Sequence, residues 1–141
     1  YTFETPEKIH ALFKAIKNAN VKYTVGLCID TAHLFSCGTV LSHTNDVEPW
    51  FKKLMNDLPH DIPLLLHLND SRSTLGSGID KHQQLCLGAI WNKYDDDCGL
   101  KSVLEWTSQY NVPIILERDT DTDAKNDLEI IQLWDTTGKL I

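Results

Sequence analysis

Apolar and polar residues follow two kinds of pattern along the chain. Apolar residues three or four positions apart predict amphipathic helices over residues 6–19, 48–58, 99–110 and 123–134. Short aliphatic runs predict strands over residues 25–30, 64–69 and 114–117. The predicted helices and strands alternate strictly, which is typical of a parallel sheet with helical crossovers. The sequence therefore predicts an α/β fold.

Residues that favour helix starts and loops mark the ends of these elements. Thr5 followed by Pro6 indicates a helix start, and Thr122 is predicted to cap the last helix. The segment around Gly38 and the long polar stretch 70–90 lack a regular apolar pattern. We expect both to be loops.

Strand parity separates two faces of the sheet, because side chains alternate along a strand. One face of the predicted strands is fully aliphatic and suits packing against helices. The opposite face carries Asp30, His67 and Glu117, each near the carboxyl end of its strand. Active sites of α/β barrels lie at this end of the strands. We expect the three side chains to converge on one site.

Asp30, His67 and Glu117 offer oxygen and nitrogen donors that suit zinc, with manganese or iron as alternatives. Each residue alone is more simply explained as a capping carboxylate or a hydrogen-bonded core histidine. Three of them at equivalent strand positions are harder to explain in that way, because buried charges need partners. Together they predict a metal centre.

A second set of potential ligands lies largely in the stretch 70–90. Asp80 and His82 are two positions apart, so in an extended segment they point the same way and can chelate one ion. His33 can supply a third donor, which leaves a position open for water or phosphate, as in catalytic zinc sites. Without the other ligands, Asp80 and His82 would be interpreted as ordinary residues of a solvated loop.

Composition restricts the function further. The 141 residues suffice for one domain, and their net charge of −7 argues against non-specific coating of nucleic acid, although bound dications would offset some of the acidic side chains. Four cysteines occur without a CxxC pair, so neither disulfides nor a cysteine zinc site is indicated. No apolar run is long enough to cross a bilayer and no signal peptide opens the sequence. We expect a cytosolic or nuclear protein.

Four segments in order resemble the second half of the endonuclease IV family. They are residues 26–33 (GLCIDTAH), 67–70 (HLND), 76–82 (GSGIDKH) and 115–117 (ILE). The match runs through nearly the whole chain, and residues 76–80 with the continuation AIW at 89–91 are most similar to versions from large DNA viruses. The chain departs from the family at Lys81, where arginine is usual, and at Cys86 and Leu87, where a glycine–acid pair is usual.

The resemblance implies a (β/α)8 TIM barrel of the xylose-isomerase-like type, with residues 1–141 as its carboxyl-terminal half. It implies a base excision repair enzyme that hydrolyses DNA 5′ to abasic sites with zinc-activated hydroxide. Such a barrel holds up to three zinc ions, and manganese is an alternative metal. Ligands of the zinc ions match two sets of residues here: Asp30, His67 and Glu117, and His33, Asp80 and His82. The remaining ligands, including a bridging glutamate, belong to the first half of the barrel.

The resemblance also suggests individual roles. Asp30 and Glu117 are candidate catalytic residues. Arg72, Ser73 and Lys81 are candidate DNA contacts, in or beside a polar, glycine-rich loop able to approach a phosphate backbone, although mobile loops often have this composition. We expect the full-length protein to act as a monomer on double-stranded DNA and to require no membrane.

Two other interpretations stay open. Sugar isomerases and epimerases on the related barrel also place Asp, His and Glu at strand ends, but Asp80 and His82 favour phosphodiester cleavage, which a second zinc suits better than proton transfer on a free sugar. The chain is alternatively an inactive fragment, because half a barrel has an unpaired sheet edge and lacks the ligands of one metal. The start at Tyr1 rather than a methionine suggests that the sequence is cut at this end. We expect this chain alone to be catalytically weak and the longer parent to be the enzyme.

Overall fold

The computed structural model describes residues 3–141 and confirms the alternation of helices and parallel strands. In chain order, the elements of these residues are α1 (Pro6–Ala19), β1 (Leu27–Asp30), α2 (Thr31–Ser36), α3 (Thr44–Asp57), β2 (Leu64–His67), β3 (Asp70–Ser71), β4 (His82–Gln83), α4 (Gly99–Gln109), β5 (Ile114–Ile115) and α5 (Asp121–Thr137).

The main sheet has the order β1-β2-β5, and both pairs of neighbours are parallel. Ile29 and Leu66 are buried among the helices, whereas Cys28 and Ile115 on the opposite face are exposed. This alternation confirms the strand parity expected from the sequence. An α/β unit with parallel strands and helices packed on one face is consistent with half of a TIM barrel.

A short helix replaces the loop that was predicted after β1. α2 begins directly after Asp30, whose Oδ1 accepts a hydrogen bond from the backbone N–H of His33 at 3.1 Å. Asp30 thus caps the helix that carries His33. The prediction of an immediate loop was wrong because six residues are too few to display a helical apolar period.

The predicted starts of α3 and α5 were also wrong. α3 begins at Thr44, not at residue 48, and Pro49 lies inside it. α5 begins at Asp121 and is capped by Thr120, whose Oγ1 accepts from the N–H of Asp123 at 3.1 Å. Thr120, not Thr122, is the N-cap, and its backbone is extended as a capping residue requires. A helix that starts there has Asp121 and Asp123 in its first turn, where the helix dipole favours acidic side chains.

The polar stretch 70–90 is predominantly irregular, as predicted, but it contains a small antiparallel hairpin in which Ser71 of β3 is the register partner of His82 of β4. The side chain of Asp70 connects the beginning and the end of this stretch by hydrogen bonds. Its buried carboxylate accepts hydrogen bonds from the N–H groups of Ser71 at 2.7 Å, Cys86 at 3.0 Å and Ile90 at 2.9 Å.

The middle of the same stretch lies on the carboxyl end of α2. The N–H of Gly76 donates to the carbonyl of Phe35 at 3.0 Å, and the N–H of Gly78 donates to the carbonyl of Ser36 at 2.9 Å. Both glycines have φ near +70°, a backbone conformation that favours glycine. These contacts carry the residues after Gly78 back towards α2.

None of the helices within residues 3–141 combines the length and the apolar character that a membrane span requires. The four cysteines, all of them within these residues, are free.

Candidate metal centre

The carboxyl ends of β1 and β2 and the residue after Leu116 bring Asp30, His67 and Glu117 together. Asp30 and His67 are register partners in the sheet. Nδ1 of His67 lies 3.1 Å from Oε2 of Glu117 and 3.8 Å from Oδ2 of Asp30. The convergence of the three side chains, expected from strand parity, is present in the structure.

Asp30 also faces the hairpin. Nε2 of His82 lies 3.4 Å from Oδ2 of Asp30 and 3.5 Å from Oδ1 of Asp80, and its Nδ1 lies 3.5 Å from Oε2 of Glu117. Asp30, Asp80 and His82 therefore form a second potential ligand group, which shares Asp30 with the first. His82 lies between the two groups.

His33 approaches this second group from α2. Its Nδ1 lies 3.1 Å from Oδ2 of Asp80, and its Nε2 lies 3.6 Å from Sγ of Cys37 one turn later on the chain. The sequence suggested His33, Asp80 and His82 as one ligand set. In the structure these three side chains lie next to one another. Asp30 also contacts His82, which the sequence did not indicate. This contact is possible because Asp30 lies at the end of a strand and caps α2, so that its carboxylate faces both the sheet and the hairpin.

Both groups have dimensions that fit a bound dication. Zinc with nitrogen and oxygen ligands at about 2.0–2.1 Å separates tetrahedral ligand atoms by about 3.4 Å. In each group the ligand atoms lie within 4.8 Å of one another, and the carboxylate–imidazole distances given above bracket the tetrahedral value. Three carboxylates also lie close together, so a cation would relieve their mutual repulsion.

The surroundings shift the pKa values of Asp30 and Glu117 in opposite directions. Burial raises the pKa of Asp30, and the neighbouring carboxylates of Asp80 and Glu117 act in the same direction. Burial also acts to raise the pKa of Glu117, but the hydrogen bond from Asn69 and the nearby His67 outweigh it, so the net pKa is lowered. Glu117 is therefore ionised, and ready to accept a cation, over a wider pH range than Asp30.

Asn69 is a site residue that the sequence analysis did not select, although strand parity puts it on the same face as His67. Its Nδ2 donates hydrogen bonds to Oε2 of Glu117 at 2.9 Å and to Oδ2 of Asp30 at 3.2 Å. Arg118, also missed, donates from Nη1 to Oδ1 of Asn69 at 2.7 Å. The sequence held one signal for Arg118. Strand parity puts it on the aliphatic face, where a cation requires a buried partner.

The candidate DNA contacts lie beside the ligands. Arg72 and Lys81 line a cleft of about 400 Å³ together with Asp80, His82 and Glu117. A hydrogen bond of 2.9 Å from the N–H of Arg72 to the carbonyl of Lys81 closes the hairpin between them. Ser73 is partly buried, and its N–H donates to Oγ of Ser71 at 3.0 Å.

Known proteins resemble this chain in both sequence and structure. A "Probable AP endonuclease" of African swine fever virus is 40% identical over 125 residues, which cover 84% of this chain and 42% of the relative. A "Probable endonuclease 4" of Nitrosopumilus maritimus is 31% identical over 126 residues, which cover 89% of this chain and 42% of that relative. The chain belongs to the endonuclease IV family.

Solved structures agree with this assignment. The crystal structure of AsfvAP:AG superposes with a TM-score of 0.82 at 35% identity, over 99% of this chain and 48% of that chain. Endonuclease IV from Thermus thermophilus superposes with a TM-score of 0.67 at 25% identity, over 94% of this chain and 44% of that one. The parallel sheet and its helices are therefore those of an endonuclease IV TIM barrel.

The chain spans about half the length of the curated relatives that it matches. No protein-family model matches the chain. Membership of the endonuclease IV family implies dependence on a metal, which agrees with the two ligand groups at the strand ends.

Proposed function

We propose that this chain carries the metal-binding part of an AP endonuclease, which hydrolyses the phosphodiester 5′ to an abasic site in double-stranded DNA. The observation that carries the proposal is the pair of ligand groups that share Asp30 at the carboxyl edge of the sheet. Two adjacent dication sites are typical of enzymes that cleave phosphodiesters. The names of the relatives support the same substrate class.

Zinc is the metal that this donor set favours, because imidazole and carboxylate ligands in a tight group suit it, with manganese as the alternative. Bound dications would activate water as a nucleophile and neutralise charge on the phosphate and the leaving oxygen. Asp30, His67 and Glu117 would hold one ion, while Asp80, His82 and His33 would hold another. Asp30 would act in both sites, and Glu117 would remain ionised because its pKa is lowered.

The cleft beside the ligands would receive the DNA backbone. Arg72 and Lys81 line it, and they would contact phosphates next to the one that is cleaved, with Ser73 as a further polar contact. An abasic nucleotide has no base to unpair, so extruding it from the duplex costs less than extruding an intact nucleotide. Damage would thus be recognised partly by the ease of deforming the duplex.

A sugar isomerase on the same type of barrel is the competing enzyme. Such an enzyme needs one cluster of ligands at the strand ends, which Asp30, His67 and Glu117 would supply. The hairpin residues Asp80 and His82 have no evident role in proton transfer on a free sugar. The distances of 3.4 and 3.5 Å from His82 to the two neighbouring carboxylates favour phosphodiester cleavage instead.

We further propose that residues 1–141 are one part of a single barrel domain and are weakly active alone. Within the described residues, β1 and β5 each have a neighbour on one side only. Exposed strand edges of this kind favour pairing with further strands. The curated relatives are more than twice as long, which is consistent with additional strands and ligands in the complete domain.

The decisive experiment incubates the full-length protein with duplex DNA that bears one tetrahydrofuran abasic analogue. We expect a nick on the 5′ side, abolished by a chelator and restored by zinc. Asp30→Asn should abolish it, whereas Asp61→Asn, which changes an exposed aspartate, is the matched control. Failure of the protein to nick under zinc would refute the endonuclease proposal, and robust cleavage by residues 1–141 alone would refute the weak activity of the fragment.

A further inference from the structure

The backbone ladder of the sheet includes Asp30 and His67 but ends before Glu117. β2 and β5 are paired in register only as far as His67 and Ile115, and one further hydrogen bond runs from the N–H of Leu68 to the carbonyl of Ile115 at 2.9 Å. Glu117 lies two residues beyond Ile115. The spacing between its carboxylate and that of Asp30 therefore depends on side chains rather than on strand pairing.

The amide of Asn69 spans this gap. Asn69 is completely buried, and both of the hydrogen bonds that its Nδ2 donates go to carboxylates, those of Asp30 and Glu117. Its backbone is fixed as well, because Thr31 Oγ1 accepts from its N–H at 2.9 Å and donates to its carbonyl at 2.6 Å. One amide thus sets the distance between two proposed ligands.

Arg118 determines which way this amide faces. Its Nη1 donates to Oδ1 of Asn69 and to the backbone carbonyl of Glu117, both at 2.7 Å, and its Nη2 donates to the carbonyl of Leu68 at 3.1 Å. A guanidinium only donates hydrogen bonds, so a flipped amide would put NH2 against NH2 and oxygen against two carboxylates. Only one orientation of Asn69 satisfies all these groups.

Arg118 is itself held by the last helix. Its Nε donates to Oδ2 of Asp127 in α5, and the Arg118 and Asp127 side chains are only 4% and 1% exposed. Oδ1 of Asp127 accepts from the N–H of Leu85 at 3.0 Å. The guanidinium charge is therefore compensated inside the protein by a carboxylate that is not one of the proposed ligands.

We propose that Arg118 is a positioning residue, which acts through Asn69 to hold Asp30 and Glu117 at the spacing that a dication requires. The inference rests on the proposed metal centre and assigns Arg118 no contact with DNA. Arg118 borders the cleft, but its buried side chain and its four hydrogen bonds within the protein distinguish it from Arg72, whose side chain is 54% exposed. Residues that orient metal ligands in this way commonly change metal affinity when they are replaced.

Zinc affinity of the full-length protein, measured by competition with a chromophoric chelator, tests the proposal. Asn69→Ala and Arg118→Met should each weaken one zinc equivalent by about 10–100-fold. The double variant should be little weaker than Asn69→Ala alone, since the two residues act in series. Arg118→Lys should not restore the affinity, because lysine keeps the charge but cannot reach several acceptors in a fixed plane.

Two further variants separate positioning from general stability. Arg118→Met leaves Asp127 buried without its partner, so Arg118→Met combined with Asp127→Asn removes both charges and keeps an oxygen for Leu85. Lys125→Met, at an exposed position of α5, is the matched control for loss of a cation and should leave zinc binding unchanged. The visible spectrum of the cobalt-substituted protein should change in the Asn69 and Arg118 variants and remain unchanged in the control.

The outcomes distinguish this proposal from the proposed function. If the wild-type protein binds zinc and nicks abasic DNA, and folded Asn69 and Arg118 variants keep its zinc affinity and cobalt spectrum, positioning by Arg118 is refuted while the endonuclease proposal stands. Restoration by Arg118→Lys would likewise refute it in favour of a purely electrostatic role. A wild-type protein that binds no zinc refutes both.

Discussion

His33 and Asp80 are 47 positions apart in the sequence, yet Nδ1 of His33 lies 3.1 Å from Oδ2 of Asp80. The contact exists because the stretch that precedes Asp80 is hydrogen-bonded to the end of α2 through Gly76 and Gly78. One side of the proposed metal centre therefore depends on the conformation of a surface loop. The other side depends on a parallel sheet.

Gly76→Ala should weaken zinc binding at Asp80 with little effect on the rest of the fold. Gly76 has φ +70° and no atom closer than 3.9 Å to an added Cβ, so a methyl group strains the backbone by about 1–2 kcal/mol without a clash. Gly138→Ala is a closely matched control, since Gly138 has φ +68° at the end of α5 and nothing within 4 Å. Chelator competition and thermal unfolding of both variants check the prediction, which would be wrong if both variants had the same zinc affinity.

His82→Ala should remove one zinc equivalent and leave the ion held by Asp30, His67 and Glu117. Because a catalytic dication supplies several kcal/mol, we expect cleavage of abasic DNA to fall by about 100-fold or more. His60→Ala, at an exposed histidine, is the control. Metal analysis by mass spectrometry and a nicking assay measure the two effects, and loss of all zinc from His82→Ala would mean that the two ligand groups form a single site.

Arg72→Met should weaken binding to abasic duplex DNA and lower its salt dependence. Each phosphate contact from a cation contributes about one unit to the slope of log affinity against log salt, so removal of Arg72 should reduce that slope by about 1. Fluorescence anisotropy over a range of salt concentrations, with a catalytically inactive variant as background, measures it. The same change at Lys125 should leave the slope unaltered, and an unaltered slope for Arg72→Met would exclude Arg72 from the DNA interface.

Asp70→Ala should destabilise the protein by about 3 kcal/mol or more, because it leaves three backbone N–H groups without their acceptor and each costs about 1–3 kcal/mol when buried. Urea unfolding measures the free energy. Asp61→Ala removes an exposed carboxylate and should stay within about 0.5 kcal/mol of the wild type. Equal stability of the two variants would show that the ends of the stretch 70–90 are held by other contacts.

The part of the site that the sequence predicted best is the part formed by the sheet. A period of two along each strand, with Leu66 buried on one side of His67, was enough to put Asp30, His67 and Glu117 on a common face. The positions of Asp80 and His82 two residues apart indicated a chelating pair, and the structure brings that pair to the same edge. These relationships are local or follow from one regular period.

The features that the sequence did not reveal depend on contacts between distant segments. The contact between Asp30 and His82 arises from a hairpin within a stretch that has no apolar pattern. Asp127 was missed because apolar periodicity alone predicts Leu128, Ile131 and Trp134 as the core-facing residues of α5. That prediction was wrong for Leu128, which is 46% exposed, whereas Asp127, four positions before Ile131, is buried. The available signal was a charged residue at an apolar position of the helix. Its role is evident only in the structure, where Arg118 is its buried partner.

The pair of Arg118 and Asp127 has a consequence for α5 as a whole. Asp127 is the only buried residue of this helix among the described residues, whereas Leu128 is 46% exposed. Apolar side chains tolerate a helix that slides or turns, but rotation by a single residue, about 100°, would carry Asp127 away from a guanidinium whose side chain is only 4% exposed. The buried charges thus allow α5 only one rotational setting against the sheet.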